Sequence, residues 1–445
     1  MRAYLDILKL AWPLALGMVN NALLQFTDRA FLAHESMSSL EAVLPASMLA
    51  YVALGFFQSV VAYSGTFVAQ YHGARNAAMC RLSYHVGTWI AVVSGVLMVA
   101  AMPLGGLVFE AVSNGADVIA KQKTYYDICT AGGVCLFGQM AAQAFFTGLG
   151  KTRIVLWVNI VGNVLNVALD PILIFGWCGA PRLGIAGAAY ATVFATAVQW
   201  LVLALAAARV KTPDDARRGT RDGRFGALAW RVLRFGIPSG AYSVLNSLSF
   251  TVFVFLTGGV GHVEAAVSNA VFSVCYLLFA PMEGFALGAQ TLVGQARGRG
   301  DDAEAMRVGL RTVALGVLFA AIAPMLVVVF RRPILALYAP ADAAVAEKFV
   351  STGTVLFLLM GAWQVFDAAD VILSGALKGA GDTKFVMGWM LVCGFLLWIP
   401  LAWAVSRVHN TMPALWSTMI VYVIVICIGS LVRWRRGKWK EISLL

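Results

Sequence analysis

Long apolar stretches follow one another along almost the whole chain, separated by short polar connections. Because the hydrocarbon core of a bilayer is about 30 Å thick, one crossing helix needs about 20 apolar residues. The hydropathy pattern therefore predicts twelve membrane-spanning helices. They are predicted at residues 10–33, 46–70, 84–112, 125–147, 154–177, 185–208, 233–258, 266–290, 309–330, 349–376, 385–406 and 411–432.

One hydrophilic stretch interrupts this pattern after the sixth predicted helix. It contains the sequence RVKTPDDARRGTRDGR and separates two sets of six helices. We therefore predict four parts of the chain. They are an N-terminal lobe at 1–208, a cytoplasmic linker at 209–232, a C-terminal lobe at 233–432 and a basic tail at 433–445.

The two sets of helices repeat each other. Each set has an even number of crossings, so both enter the membrane in the same orientation, and a parallel repeat of this kind is typical of transporters. We predict an all-α polytopic membrane protein, with two six-helix bundles related by a pseudo-two-fold repeat. The repeat is seen where an offset of 225 aligns Trp12-Pro13 with Ile237-Pro238 and VAQYHG at 68–73 with VGQARG at 293–298, and where an offset of 231 aligns GLGKT at 148–152 with GAGDT at 379–383.

Composition and charge support a membrane protein and set its orientation. The chain is 60% hydrophobic and 12% charged, whereas soluble domains carry about 25% charged residues. These values exclude a cytosolic enzyme, a nucleic-acid binder and a disordered scaffold. The N-terminus, the loops after even-numbered helices and the tail hold 25 of the 33 Lys and Arg residues. The positive-inside rule then predicts a multi-pass protein of the inner (cytoplasmic) membrane with both termini in the cytoplasm.

Cysteine and histidine spacing indicates no metal or cofactor. The seven cysteines form no CxxC pair, and the five histidines show no ligand spacing. No combination of nucleophile and base stands out either, so we expect a protein that is not an enzyme. The first apolar run is longer than the core of a signal peptide and contains Asp28, so we interpret it as a retained helix.

The fifth predicted helix carries a polar stripe. Asn159, Asn163, Asn166 and Asp170 are spaced i, i+4, i+7 and i+11, which places them on one face, and Pro171 follows. Proline lacks an N–H and so frees a backbone carbonyl one turn back, which would kink the helix at this point. Asparagines in membrane helices often only hydrogen-bond neighbouring helices, and we accept that interpretation for Asn159. For the other three residues we favour a face that binds a proton or a cation.

Asp28 on the first helix is the natural partner of this face. Asp28 and Asp170 lie about 18 and 16 residues from the cytoplasmic starts of their helices, so at about 1.5 Å per residue they reach similar depths. Two carboxylates in a low-dielectric site do not both ionise readily, so the pair could hold a proton or a small cation. Na⁺ could bind at Asp28, Asn166 and Asp170. The alternative is that Asp28 only marks the outer end of its helix.

The second half has acidic residues of its own. Asp367 and Asp370 lie one helical turn apart on the tenth predicted helix, and Glu283 lies on the eighth. Glu283 and Asp367 are about 7 and 9 residues from the cytoplasmic ends of their helices, so contact between them is feasible. Asp370 could instead be an interfacial residue, and Glu283 could be part of a structural ion pair.

At this point the sequence resembles the multidrug and toxic-compound extrusion (MATE) transporters. The resemblance extends over nearly the whole chain and rests on the order of several motifs. These are Trp12-Pro13 with Asp28, VAQYHGAR, GLGKT, NVLNVALDPILIFG, LGIAGAAYAT, FGIPSG, VGQARGRGD and DAADVILSGALKGAGDT.

The resemblance implies a V-shaped pair of six-helix bundles that exports cationic, amphipathic compounds in exchange for H⁺ or Na⁺ by alternating access. By the family pattern, Asp28, Asn166 and Asp170 match the coupling site of the N-terminal lobe, and Asp367 matches an acidic residue of the C-terminal lobe. Many members carry a glutamate eight residues after the proline of the seventh helix, where this chain has Asn246. This departure favours coupling in the N-terminal lobe.

The alternative is a flippase for lipid-linked precursors from the same superfamily. A flippase would need a cationic cavity for a diphosphate, whereas the charges predicted inside the membrane are acidic. We therefore expect small organic cations and the lipid bilayer as partners, no cofactor apart from the coupling ion, and a monomer.

Overall fold

The computed structural model describes residues 2–35, 37–112, 115–210, 224–338 and 342–445, and these residues are helical almost throughout, without a strand among them. The middle of the predicted linker, residues 211–223, lies outside the described residues. The helices are α1 (Arg2–Glu35), α2 (Met37–Ala62), α3 (Ser64–Gly73), α4 (Ala77–Val112), α5 (Ala116–Ala131), α6 (Gly133–Gly148), α7 (Thr152–Phe175), α8 (Ile185–Ala208), α9 (Arg224–Gly258), α10 (His262–Gly298), α11 (Asp302–Val329), α12 (Arg331–Ala336), α13 (Ala343–Ala380), α14 (Thr383–Leu391), α15 (Ile399–Val408) and α16 (Met412–Arg436).

The number of membrane spans agrees with the prediction. Within the described ranges, eleven helical stretches are long and apolar enough to cross a bilayer, and a bent pair, α5 with α6, makes up to twelve. Most observed helices are longer than predicted, because polar residues at their ends continue the helix beyond the apolar core. The third predicted helix, at 84–112, for example, is α4 from Ala77 to Val112.

Three predicted helices differ from the simple continuous form. The predicted second helix is interrupted at Tyr63, between α2 and α3. The predicted fourth helix is divided into α5 and α6, which meet at Gly132 with a bend of 43°. A Cβ at Gly132 would overlap the side chain of Val193, so glycine permits the close approach at this bend. In the predicted eleventh helix, a π-helical stretch, Val392–Trp398, joins α14 to α15.

The described chain packs as two units. The first unit contains Leu16–Gly240, Gly298–Gly300 and Leu444–Leu445, and the second contains Met1–Ala15, Ala241–Arg297 and Asp301–Ser443. The unit boundaries within α1 and α9 are 225 residues apart, which is the offset of the sequence repeat. The lobe boundaries predicted from the order of the helices along the chain stay a prediction.

Small residues let helix backbones approach closely inside the second unit. Gly284 of α10 packs against Ala15 of α1, and a Cβ at Gly379 of α13 would overlap the carbonyl oxygen of Gln290 on α10. Since lipid tails are as apolar as leucine, association of helices in a membrane depends on such close packing more than on hydrophobicity. These contacts fix α10 against α1 and α13, and α10 and α13 carry Glu283, Asp367 and Asp370.

Candidate functional site

The polar stripe of α7 meets α1 at a pair of carboxylates in the first unit. With the Asn166 amide oriented to satisfy both of its ends, its nitrogen donates to Asp170 Oδ2 at 3.1 Å and to Asp28 Oδ1 at 3.2 Å. Its oxygen accepts from the backbone N–H of Thr192 on α8 at 3.1 Å. Asp170 is fully buried and Asn166 is 1% exposed. One amide therefore bridges two carboxylates that come from different helices.

Asp28 and Asp170 place two carboxyl groups side by side in the first unit. The carboxyl groups of Asp28 and Asp170 lie within hydrogen-bonding range of each other, and the buried Oδ1 of Asp170 has no hydrogen-bond partner. Burying two like charges side by side is unfavourable, because each loses hydration and repels the other. A proton shared by the pair, or a small cation, would remove both penalties. The geometry thus suits reversible binding of a positive charge.

The rest of the stripe holds α7 against its neighbours. Asn163 donates to Asn21 on α1 at 3.1 Å, and Asn159 accepts from Gln143 on α6 at 2.8 Å. Gln199 on α8 donates to Asn163 at 3.4 Å. These contacts are interhelical hydrogen bonds of the kind that stabilise membrane bundles. They agree with the structural interpretation accepted for Asn159, and the coupling role of Asn163 stays a prediction.

The sequence reasoning missed the partners on α5, α6 and α8. Tyr125 and Cys129 of α5 lie within electrostatic range of Asp28, and Thr192 completes the environment of Asn166. One signal was available: Gln139 and Gln143 are spaced i, i+4 in an apolar helix, as the stripe residues are. Pro171 lies inside α7 directly after Asp170, so the carbonyl of Val167 has no backbone N–H four residues ahead.

The acidic residues of the second half form a cluster in the second unit. Asp367 lies within electrostatic range of both Asp370 and Glu283. Asp370 is 3% exposed and accepts from the hydroxyl of Ser430 at 2.6 Å. Asp367 is half-buried and the side chain of Glu283 is exposed. We call Glu283, Asp367 and Asp370 the acidic cluster.

A lysine that the sequence reasoning did not single out belongs to the acidic cluster. Lys378 on α13 lies within electrostatic range of Glu283 and Asp370. Its Nζ lies 3.8 Å from the centroid of the Tyr242 ring, close enough for a cation–π contact. The chain therefore supplies its own cation to this cluster. The sequence did contain a signal, since Lys378 lies two turns beyond Asp370 on the same face of one helix.

Asn246 stands where many members of the family carry a glutamate, and it contacts the next turn of its own helix. Its side chain is exposed on α9, and its carbonyl accepts from the hydroxyl of Ser249 at 2.9 Å. A role for Asn246 at a cation site of the second half stays a prediction.

We expect Lys378→Met to destabilise the protein by about 1–3 kcal/mol, because Asp370 would lose its nearby cation while it stays buried. The measurement is thermal unfolding of the purified protein in detergent. Lys384→Met is the matched control, since this lysine lies exposed on α14. Adding Asp370→Asn to Lys378→Met should restore most of the loss. An unfolding temperature of Lys378→Met equal to that of the control would contradict the ionic role of this lysine.

Most of the chain matches one known protein family. Residues 13–172 and 238–404 match the model of the MatE family. The chain belongs to the MatE family. The resemblance inferred from the sequence motifs is thereby confirmed, and this MatE protein is a multi-span membrane protein of a transporter family.

Curated relatives and solved structures cover this MatE protein over nearly its whole length. It is 27% identical to "Probable multidrug resistance protein NorM" of Rhodopseudomonas palustris, covering 97% of this chain and 91% of the relative. It is 24% identical to "Multidrug resistance protein MdtK" of Yersinia pseudotuberculosis, covering 92% and 89%.

The solved structures show that the MatE fold is shared. A structure of a MATE protein in complex with MaL6 matches with a TM-score of 0.86 at 17% identity, covering 99% of this chain and 98% of the other. A transporter of the MOP superfamily from Pyrococcus furiosus, described as having a binding pocket of reverse polarity, matches with a TM-score of 0.84 at 18% identity, covering 99% and 97%. The predicted all-α, two-bundle fold class is thereby confirmed.

Proposed function

We propose that this chain is a secondary active multidrug exporter, which exchanges cationic, amphipathic organic compounds for H⁺ or Na⁺ by alternating access. The multidrug resistance names of its relatives support drug export as the function. The observation that carries the proposal is the Asn166 amide that bridges Asp28 and Asp170. A fully buried and a half-buried carboxyl group, held by one neutral donor, are suited to bind one positive charge reversibly.

The proposed cycle begins with the outward-open protein. H⁺ or Na⁺ binds between Asp28 and Asp170 and neutralises the pair, so that the site no longer needs water around it. The helices then rearrange, and Pro171 is the natural place for α7 to bend, because the backbone hydrogen bond is absent there. The cargo site loses affinity, the compound leaves, and the inward-open protein releases the ion to the cytoplasm.

Coupling needs only opposed preferences of ion and cargo. If the ion binds one conformation more tightly and the organic cation binds the other, each shifts the equilibrium against its counterpart. Binding of the two cations in one shared acidic chamber would give the same result. In either case removal of the negative charge at the pair removes the link between the ion gradient and the cargo.

We infer a secondary role for the acidic cluster of the second unit. Lys378 already supplies a positive charge near Glu283 and Asp370. An external cation would therefore compete with a tethered one, which makes the first unit, where the paired acids have Asn166 as their shared donor, the better site for the coupling ion. We also infer an inner-membrane protein with both termini in the cytoplasm, from the 25 of 33 Lys and Arg residues on that side of the predicted topology.

Transport by the purified protein in proteoliposomes tests the proposal. With ethidium as the cargo, we expect that an imposed proton gradient or an imposed Na⁺ gradient drives ethidium flux in exchange for that ion. We expect no flux when both ions are at equilibrium. Flux under one gradient alone identifies the coupling ion. Movement under neither gradient would contradict coupled export. A fluorescent anionic lipid in matched vesicles tests the flippase alternative, since transport of that lipid instead of ethidium would favour it.

A further inference from the structure

The two halves of the chain differ at one equivalent turn. The offset of 225 aligns Arg75, after the end of α3, with Gly300, after the end of α10. Gly300 has a φ of +77° and Arg75 a φ of +57°. Glycine adopts this left-handed conformation without strain, whereas a side chain with a Cβ does so with difficulty. The first half therefore keeps an arginine where the backbone favours glycine, and a role of its side chain would explain this.

Arg75 lines a cavity in the first unit of about 290 Å³. None of the described residues that line this cavity is acidic. Lys151 and Arg299 add further positive charge, since both lie within electrostatic range of His72. We call this space the basic cavity; its lining residues are His72, Arg75, Asn76, Ala77, Cys80, Phe145, Leu149 and Val210.

The equivalent place in the second half is neutralised by the protein itself. Arg297, which aligns with His72, forms an ion pair with Asp302 at 2.5 Å and donates to the carbonyl of Ile442 at 2.6 Å. Its guanidinium also lies over the ring of Trp439, 5.5 Å from the centroid. The indole and the carbonyl come from the C-terminal segment, so the chain fills and balances this site.

The first half lacks the aspartates that balance positive charge at the equivalent place in the second half. Asp301, Asp302 and Asp382 of the second half align with Asn76, Ala77 and Lys151. Asp382 is itself paired with Arg433 at 2.7 Å, whereas the ion pairs seen between aspartate or glutamate side chains and basic side chains of the described residues do not include His72, Arg75, Lys151 or Arg299. The first half therefore has an excess of positive charge around an open cavity, whereas ion pairs with aspartates balance the equivalent charge in the second half.

We propose that the basic cavity binds a phosphate-bearing anion. Arg75, Lys151 and Arg299 supply the positive charge, and arginine suits phosphate because its planar guanidinium donates two parallel hydrogen bonds. Phe145, Leu149 and Val210 add apolar surface to the lining. The phosphate could belong to the headgroup of a phospholipid, whose acyl chains would contact that apolar surface, or to a free phosphate ion. By the predicted topology the cavity lies at the cytoplasmic face, where anionic lipids accumulate.

The test is binding to the full-length purified protein, measured by native mass spectrometry in detergent. The probes are phosphatidylglycerol, phosphatidylcholine and inorganic phosphate, added separately. The variant is Arg75→Gly combined with Lys151→Gln, and Arg75→Gly should leave the turn folded because it copies Gly300. The control is Arg234→Gln, a basic residue exposed on α9 that does not line the cavity.

We expect the wild-type protein and the control to bind phosphatidylglycerol about tenfold more tightly than the double variant does. A preference for phosphatidylglycerol over the other probes supports a lipid headgroup, and binding of inorganic phosphate that the variant loses supports a free ion. Equal binding of every probe by wild type and variant, or no binding of any, would overturn the proposal. Because ethidium transport is measured separately, this outcome leaves the exporter proposal intact.

Discussion

Asp170→Asn and Asp28→Asn are each expected to reduce coupled ethidium transport to background. Asparagine matches aspartate in size but cannot gain or lose a proton and offers no negative charge to Na⁺. The Asn166 bridge and the packing around it should persist, because the replaced groups keep a carbonyl oxygen that can accept from that amide. The measurement is flux in proteoliposomes, together with drug resistance in an efflux-deficient host, and with the amount of membrane-inserted protein as a check.

The control for this pair is Asp6→Asn. Asp6 also lies on α1, but it is exposed and contacts only Lys9 among the ion pairs of the described residues, at 3.4 Å. We expect normal transport from this variant, because an exposed ion pair contributes little. Full resistance and full flux in both Asp28→Asn and Asp170→Asn would refute the coupling role of the pair. Loss of membrane insertion in either would indicate a folding defect instead.

Gly379→Ala is expected to give the second large effect, on stability as well as on transport. The new Cβ would overlap the carbonyl oxygen of Gln290, and a backbone atom cannot move aside as a flexible side chain can. Helices α10 and α13 must then separate, and overpacking of this kind destabilises by about 1–3 kcal/mol. Since the same two helices carry Glu283 and Asp367, the acidic cluster would widen too. Thermal unfolding in detergent measures the first effect.

Gly388→Ala is the matched control for this substitution. Gly388 lies within α14, and a Cβ there would meet nothing within 4 Å. Alanine is the better helix former, so the control should leave the unfolding temperature unchanged or raise it slightly. If Gly379→Ala unfolds at the same temperature as Gly388→Ala, the close contact between α10 and α13 does not hold these helices together.

The helical spans could be predicted because the bilayer imposes one simple requirement on every crossing segment. An apolar run of sufficient length must be a helix, since its backbone groups find no other partners in lipid. The break at Gly132 could not be predicted, because it depends on Val193, which lies in another helix and far away in the sequence. The repeat offset, by contrast, was visible in the sequence and recurs in the unit boundaries within α1 and α9.

The candidate site could also be predicted only in part. The spacing of Asn163, Asn166 and Asp170 within one helix places them on one face, and depth along two helices suggested Asp28 as their partner. Periodicity within a helix says nothing about which neighbour faces it, so Thr192 was missed. Lys378 was missed for another reason, since a lysine near the end of an apolar run usually extends toward the membrane surface. Whether these residues couple transport stays a prediction.

The division of α1 and α9 between the two units has a consequence for fragments of this chain. Cutting within the polar linker would yield two pieces, each matching one repeat of the sequence. The N-terminal piece would carry Met1–Ala15 without the second unit in which that segment is packed, and the C-terminal piece would carry the start of α9, up to Gly240, without the first. Neither piece would contain all the residues of one packing unit. Each would therefore fold fully only when the other piece is present, as in a domain-swapped pair.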